Sequence, residues 1–378
     1  GPVERAPAAG LTVVIRDVST DAALGFGVTD PEGRFDIPCA APTGPVSLQA
    51  VAAAFDGAHR LWVTDGDERT YTFDGPQSSD ASATEALDLH VSEADDSGAL
   101  HIFALLRRHQ TDAQQLAGVW LPALQAVWER GEAIYCGTCF AHWPPTLFAL
   151  GDPQDTDEFD DSVLSHEFGH YLSFTASRDD SPGGMHDGQP TDPRQAWSEG
   201  LATWIGQTLL GEAIYLDTTL TGVTVRDPED MGWDADPQGG LSQALSEYVV
   251  LEVLWDLTDP VDGALDPLAS PAANVFDVLV GYLPSDTMAD RGVAEVDLVD
   301  FLDGWLCRGH GDPAGLTALV IDDQGFPYDF AGPTTCDKPR SAARVTLQVQ
   351  GDRVTLDVVD PLGTDHAEAV IRLPPRFT

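Results

Sequence analysis

The chain has 378 residues, 62 of them acidic and 19 basic, which gives a formal net charge of −43. Its one lysine, Lys338, and its scattered arginines offer no cationic cluster that would release counterions from phosphates, so nucleic acid is excluded as a partner and anionic membrane surfaces are disfavoured. With 43% hydrophobic residues and nine Trp the chain can bury a core, its length suits two or three domains, and its acidity fits a salty habitat where screening weakens self-repulsion.

Residues 11 to 75 read as an all-β module. Leu11 to Arg16 alternates and is β-branched, and further strands are predicted at 25–28, 33–37, 46–52, 60–63 and 69–73, with a turn at Asp30-Pro-Glu-Gly33. Strands at this spacing predict a sandwich over residues 1–75. The phrase Val28-Thr-Asp-Pro-Glu-Gly-Arg-Phe35 resembles the prealbumin-like or carboxypeptidase-regulatory-like modules found beside secreted enzymes. That resemblance implies an accessory that folds or docks protein partners rather than a catalyst. Residues 76–97 turn to Ser, Asp, Ala and Gly and read as a linker. A mainly helical domain with a small sheet is expected over 98–340, with helices at 98–110, 160–177, 195–210, 241–257, 272–283 and 296–307 and strands at 124–129 and 146–150. Residues 341–378 return to β, with Arg344–Val349 and Arg353–Val358 joined by a turn. The expected class is therefore multidomain α+β.

No run of eighteen apolar residues occurs, so no membrane span is predicted. The opening Gly1-Pro2 reads as the remnant of a proteolytic cleavage, so the lack of an export signal in the chain does not count against export. Of the five cysteines, Cys136-Gly-Thr-Cys139 lacks the second knuckle of a four-thiolate zinc site and runs into His142-Trp-Pro-Pro, a poor helix start for a redox pair. It reads as a small structural disulfide. Cys307 and Cys336 form an expected second bridge, Cys39 is left over, and the pairings favour an extracytoplasmic protein.

His166-Glu-Phe-Gly-His170 is the sharpest feature. On a helix, positions i and i+4 share one face, so both imidazoles can reach one metal while Glu167 stands beside it as a general base. Catalytic zinc usually takes three protein ligands. The longer metzincin pattern would need Gly at 173 and His at 176, where the chain has Ser173 and Ala176. A carboxylate on a later helix is the other common solution. Glu199, flanked by Trp197, Leu201, Ala202 and Trp204, is such a residue, because a carboxylate in an apolar segment is costly unless paired or metal-bound.

Together, His166-Glu-Phe-Gly-His170 and Trp197-Ser-Glu-Gly-Leu-Ala202 resemble the gluzincin metallopeptidases. With Asp155–Asp161 and Ser177–Gly184 added, residues 98–340 look like a set of secreted metallopeptidase-like proteins of myxobacteria and their relatives. The resemblance implies Zn2+ on His166, His170 and Glu199, a base at Glu167, and peptide or protein substrates. Two departures stand out. The gap from His170 to Glu199 is longer than is usual, and the acidic position four residues after the ligand glutamate is Thr203, which leaves the histidines without an identified supporting partner. An oxyanion donor is also needed. Tyr248 and His186 are the two candidates, against the plainer descriptions of a core tyrosine and a loop histidine. Acids crowd before the zinc helix (Asp152, Asp155, Asp157, Glu158, Asp160, Asp161) and after it (Asp179, Asp180, Asp187, Asp192), so Ca2+ is a further candidate ion. The competing functional expectation is a binding or adhesion protein on a weakened zinc scaffold. Intact Glu167 favours the enzyme, and the missing acid at 203 favours the scaffold.

Overall fold

The computed structural model describes residues 7–38, 40, 44–55, 59–78, 87–92, 96–132, 136–261, 263–286, 288–333, 336, 344–350, 353–359 and 366–372. Cys39 and residues 79–86 and 93–95 of the expected linker lie outside them. The chain is mixed α and β, and no described helix is long and apolar enough to cross a membrane.

Strand β1 (Thr12–Asp17) buries Val13 and Ile15 on one face, the period-two pattern of a half-buried strand. It pairs antiparallel with β2 (Ala23–Val28) and β3 (Val46–Val51). Next come β4 (Ala53–Phe55), β5 (Arg60–Thr64) and β6 (Thr72–Gln77), the last of which pairs with β3 to complete a four-stranded sheet in the order β2-β1-β3-β6. The strand expected at 33–37 is irregular. There the Asp30 carboxylate takes the backbone N–H groups of Glu32 and Arg34 and the Arg34 side chain, holding a turn rather than releasing the chain to a ladder.

The expected sandwich also differs in where β4 and β5 go. Ala52, Ala53, Ala54, Leu61 and Val63 are all buried, a run covered on both faces that suits an inner strand pair rather than an alternating sandwich strand. Helix α1 (Ser97–Ala117) packs on β5 with Ile102, Phe103 and Leu106 inward and ends at Gly118 in the left-handed region. Strand β7 (Leu124–Val127) then pairs in parallel with β5. With β8 (Cys139–Ala141) and β9 (Thr146–Phe148) this makes a mixed sheet in the order β4-β5-β7-β9-β8, which joins residues on both sides of the expected 76–97 linker.

The other helices of ten or more residues follow the predicted spacing closely. They are α2 (Asp161–Ala176) and α3 (Pro193–Leu210), then, after the hairpin β10 (Tyr215–Thr219) and β11 (Gly222–Arg226), α4 (Glu247–Asp256), α5 (Ala272–Gly281) and α6 (Leu298–Cys307). α4 starts six residues later than expected because Ser246 caps it, its hydroxyl accepting from Tyr248 N. The hairpin β10–β11 was not anticipated. Strands β12 (Arg344–Gln350), β13 (Arg353–Val359) and β14 (His366–Arg372) form a separate antiparallel meander. Both expected disulfides, Cys136–Cys139 and Cys307–Cys336, are present.

α2 turns Leu164, Phe168, Tyr171 and Leu172 into the core, and α3 meets it with Leu201, Trp204 and Ile205, all fully buried. Two glycines let the backbones touch. A Cβ on Gly169 would stand 2.4 Å from Ala202 O, and one on Gly206 would stand 2.8 Å from the carbonyl carbon of Ser165. Gly169→Ala must push α2 and α3 apart, at about 1–3 kcal/mol of overpacking. The expected outcome is a thermal midpoint several degrees lower with weakened metal retention, measured by calorimetry and elemental analysis. An unchanged midpoint would show that the approach is not limiting.

Candidate metal centre

α2 presents His166 and His170 on the face opposite α3's Glu199. His170 Nε2 lies 3.1 Å from His166 Nε2 and 3.1 Å from Glu199 Oε2, and His166 Nε2 lies 3.3 Å from the same oxygen. These three atoms converge on one point and could hold a metal ion. Two imidazoles and a carboxylate suit zinc and its first-row neighbours rather than calcium or magnesium. The separations also approach the edge of a tetrahedron with bonds of about 2.0 Å, which is about 3.3 Å.

Each imidazole is aimed by a hydroxyl behind it. Thr203 Oγ1 donates to Glu199 O at 3.1 Å, so its lone pair receives His166 Nδ1–H at 2.9 Å. Ser198 Oγ donates to Asp179 Oδ2 at 3.0 Å and faces His170 Nδ1 at 3.4 Å. Both Nδ1 atoms being so occupied, both Nε2 lone pairs point at the metal position. The missing acid at 203 therefore does not leave His166 without support, because the threonine hydroxyl provides it.

Glu167 is buried, and no donor among the described residues meets its carboxylate. Burial pushes its carboxyl up, opposed by the neighbouring His166 and His170. Burial works against Glu199 too, but His170 and His166 outweigh it and hold that carboxyl well below the usual range. Burial likewise opposes charge on His170, and the Glu199 carboxylate overrides it, so in the metal-free protein the imidazole is pushed up to about 9.

The two oxyanion candidates are placed differently. His186, in the loop between α2 and α3, has Nε2 3.6 Å from Glu199 Oε2 and Nδ1 3.0 Å from Glu247 Oε2, and its ring lies 6.4 Å from that of His166. The Glu247 hydrogen bond, against burial, raises its pKa. The Tyr248 hydroxyl instead accepts from Arg226 Nε at 2.8 Å, and the ring lines a neighbouring cavity of about 340 Å³ with Asp187, Arg226 and Trp233. Glu247 was not anticipated, nor was Tyr215 of β10, whose ring lies 6.5 Å from His166. Glu247 precedes a residue that the sequence already singled out. Tyr215 sits on a hairpin with no strong signal.

Most of the acids considered for calcium are engaged elsewhere. Asp160 binds the backbone and hydroxyl of Thr218, Asp161 meets His101 at 2.6 Å, Asp179 takes Ser198, Asp180 takes Val296 N and Arg178, and Asp192 caps α3. Asp155 and Asp157 instead converge with Asp217.

Comparison with known proteins finds no family model that matches the chain and no significant match among curated proteins. Thr203→Val keeps the shape and removes the hydroxyl, so metal affinity should fall about 10–100-fold with the fold intact. Competition against a chromophoric chelator measures it, and an unaltered dissociation constant would take Thr203 out of the centre.

Proposed function

We propose that the chain is a secreted zinc-dependent metallopeptidase, a hydrolase of the gluzincin kind. The observation that carries this reading is Glu167, a buried carboxylate with no donor partner among the described residues, standing next to three converged ligand atoms. His166, His170 and Glu199 would hold the ion. When bound there, zinc supplies Lewis acidity, polarising the scissile carbonyl and making water acidic enough to lose a proton near neutral pH.

Glu167 takes the proton from the attacking water as the water oxygen bonds to the carbonyl carbon. The C–N bond then breaks, and the same carboxyl returns the proton to the leaving amine. Negative charge grows on the carbonyl oxygen in between. His186, whose charged form the Glu247 hydrogen bond favours and whose Nε2 faces the ligand cluster, is the donor placed to meet it. Tyr248, turned to Arg226 beside the same loop, lines the cavity next to this position and contributes to substrate binding. The two disulfides support the extracytoplasmic assignment. The scaffold reading drew on Thr203, and that support falls away with the hydroxyl found on His166.

Glu167→Gln should lower peptide hydrolysis about a hundredfold or more while zinc content stays at one per chain. An assay on a mixed protein substrate, with metal measured on the same samples, decides it. Equal cleavage by the variant would exclude Glu167 as the base, and no cleavage by the wild type across pH and salt would return weight to the scaffold. Glu247→Gln should move the alkaline limb of kcat/KM to lower pH. The sign follows from the raised pKa of His186: without the carboxylate the imidazolium is lost earlier as pH rises. An unmoved limb would remove His186 from the reaction.

A further inference from the structure

We propose that Asp155, Asp157 and Asp217 form a second metal site, which takes one Ca2+ ion and fastens the β10–β11 hairpin to the start of the zinc helix. The inference is independent of the peptidase reading. Asp155 and Asp157 stand in the turn before α2, while Asp217 comes from β10, some sixty residues later in the chain. A carboxylate oxygen from each lies within 4.8 Å of the others, a span that two oxygens bridge when each binds one calcium at about 2.4 Å.

A separate observation points inward to the same place. Asp157 is only 6% exposed, and its Oδ1 is buried without a donor among the described residues. The other oxygen, Oδ2, receives the Thr138 hydroxyl at 2.5 Å, and Thr138 Oγ1 in turn takes Leu150 N at 2.9 Å. The carboxylate is therefore locked in place with one oxygen left bare. No described arginine, lysine or histidine forms an ion pair with any of the three aspartates. Three converging carboxylates, whose nearest cationic influence is Arg226 acting on Asp217 from beyond ion-pair distance, repel one another, and a buried oxygen that lacks a donor is costly. One divalent cation answers both.

The donor set selects the ion. Only carboxylate oxygens are offered, with no imidazole or thiolate, so a hard cation is called for. The ligands come from an irregular turn and a strand rather than a regular frame, which suits calcium's six to eight variable oxygens, completed by water, better than the strict octahedron of magnesium.

The position gives the ion a structural task. β10 already leans on α2 through Leu216 N to Ser162 Oγ at 3.1 Å and Thr218 N to Asp160 Oδ2 at 2.7 Å. Between those two residues, Asp217 would add an ionic bolt, and two residues before it Tyr215 packs beside His166.

The test uses the full chain, stripped with a calcium-selective chelator, with the zinc content verified, and titrated with Ca2+ alone. Wild type should bind one Ca2+ by calorimetry, and its thermal midpoint should rise with Ca2+ concentration, as expected when an ion binds only the folded state. Asp217→Asn, at a half-buried position, and Asp157→Asn should each weaken Ca2+ binding at least a hundredfold and abolish the shift, with zinc content unchanged. Without Ca2+, Asp217→Asn should melt no lower than wild type, since the amide relieves repulsion. A wild-type midpoint indifferent to Ca2+, or a full Ca2+ response in Asp217→Asn, would overturn the site, and an equal response to Mg2+ would overturn the choice of ion.

Discussion

The centre rests on two backbone approaches closer than side chains ordinarily allow. Gly169 lies between the two ligand histidines' positions on α2 and meets the carbonyl of Ala202, and Gly200 directly follows the ligand glutamate on α3 and meets the carbonyl of Glu247 on α4. Glycine is unfavourable inside a helix by about 1 kcal/mol relative to alanine. That loss is offset by burial of Leu164, Phe168, Leu201, Trp204 and Ile205, each contributing about 1.5–3 kcal/mol. Three helices are thus drawn together around one point, and ligands carried on packed helices are held more accurately than ligands on loops.

That closeness sets what can stand behind the ligands. Glu167 and Glu199 are both buried within the same few ångströms, so a third carboxylate behind His166 would add repulsion where little solvent can screen it. Thr203 supplies the acceptor without the charge. Its own proton is committed to Glu199 O one turn back, which leaves only a lone pair for the imidazole and fixes the tautomer. On His170 the negative partner is moved one step away, with Ser198 between the ring and Asp179.

The helices and their ligands were legible because the relevant signals are local. His166 and His170 share a face by helical spacing alone, and Glu199 stood out as an acid in an apolar segment. Long-range pairing left no such mark. Residues 53–64 look like more of the β module around them, yet β5 takes β7 as its parallel neighbour, a choice made across the α1 crossover. The hairpin β10–β11 was equally hidden, since Leu216, Val223 and Val225 face outward and the half-polar strands lack a buried face to read. With it went Tyr215 and Asp217, and the acids before α2 could not be sorted into paired and converging ones.

The loop between α2 and α3 shows how an exposed residue can still be part of a rigid site. The side chain of His186 is 39% exposed, open to solvent beside the carboxylate of Glu199. Its backbone is nonetheless pinned on several sides. Ser177 Oγ donates to Leu279 O, Gln195 reaches Met185 O, Ser246 Oγ donates to Gly188 O, and Thr191 exchanges backbone hydrogen bonds with Leu245. Ser246 is also the residue that caps α4, so the hydroxyl that starts that helix fixes the loop opposite it, and the next residue, Glu247, receives His186 Nδ1. The start of α4, its delayed cap included, is therefore what turns a glycine-rich excursion into a fixed wall of the candidate metal centre.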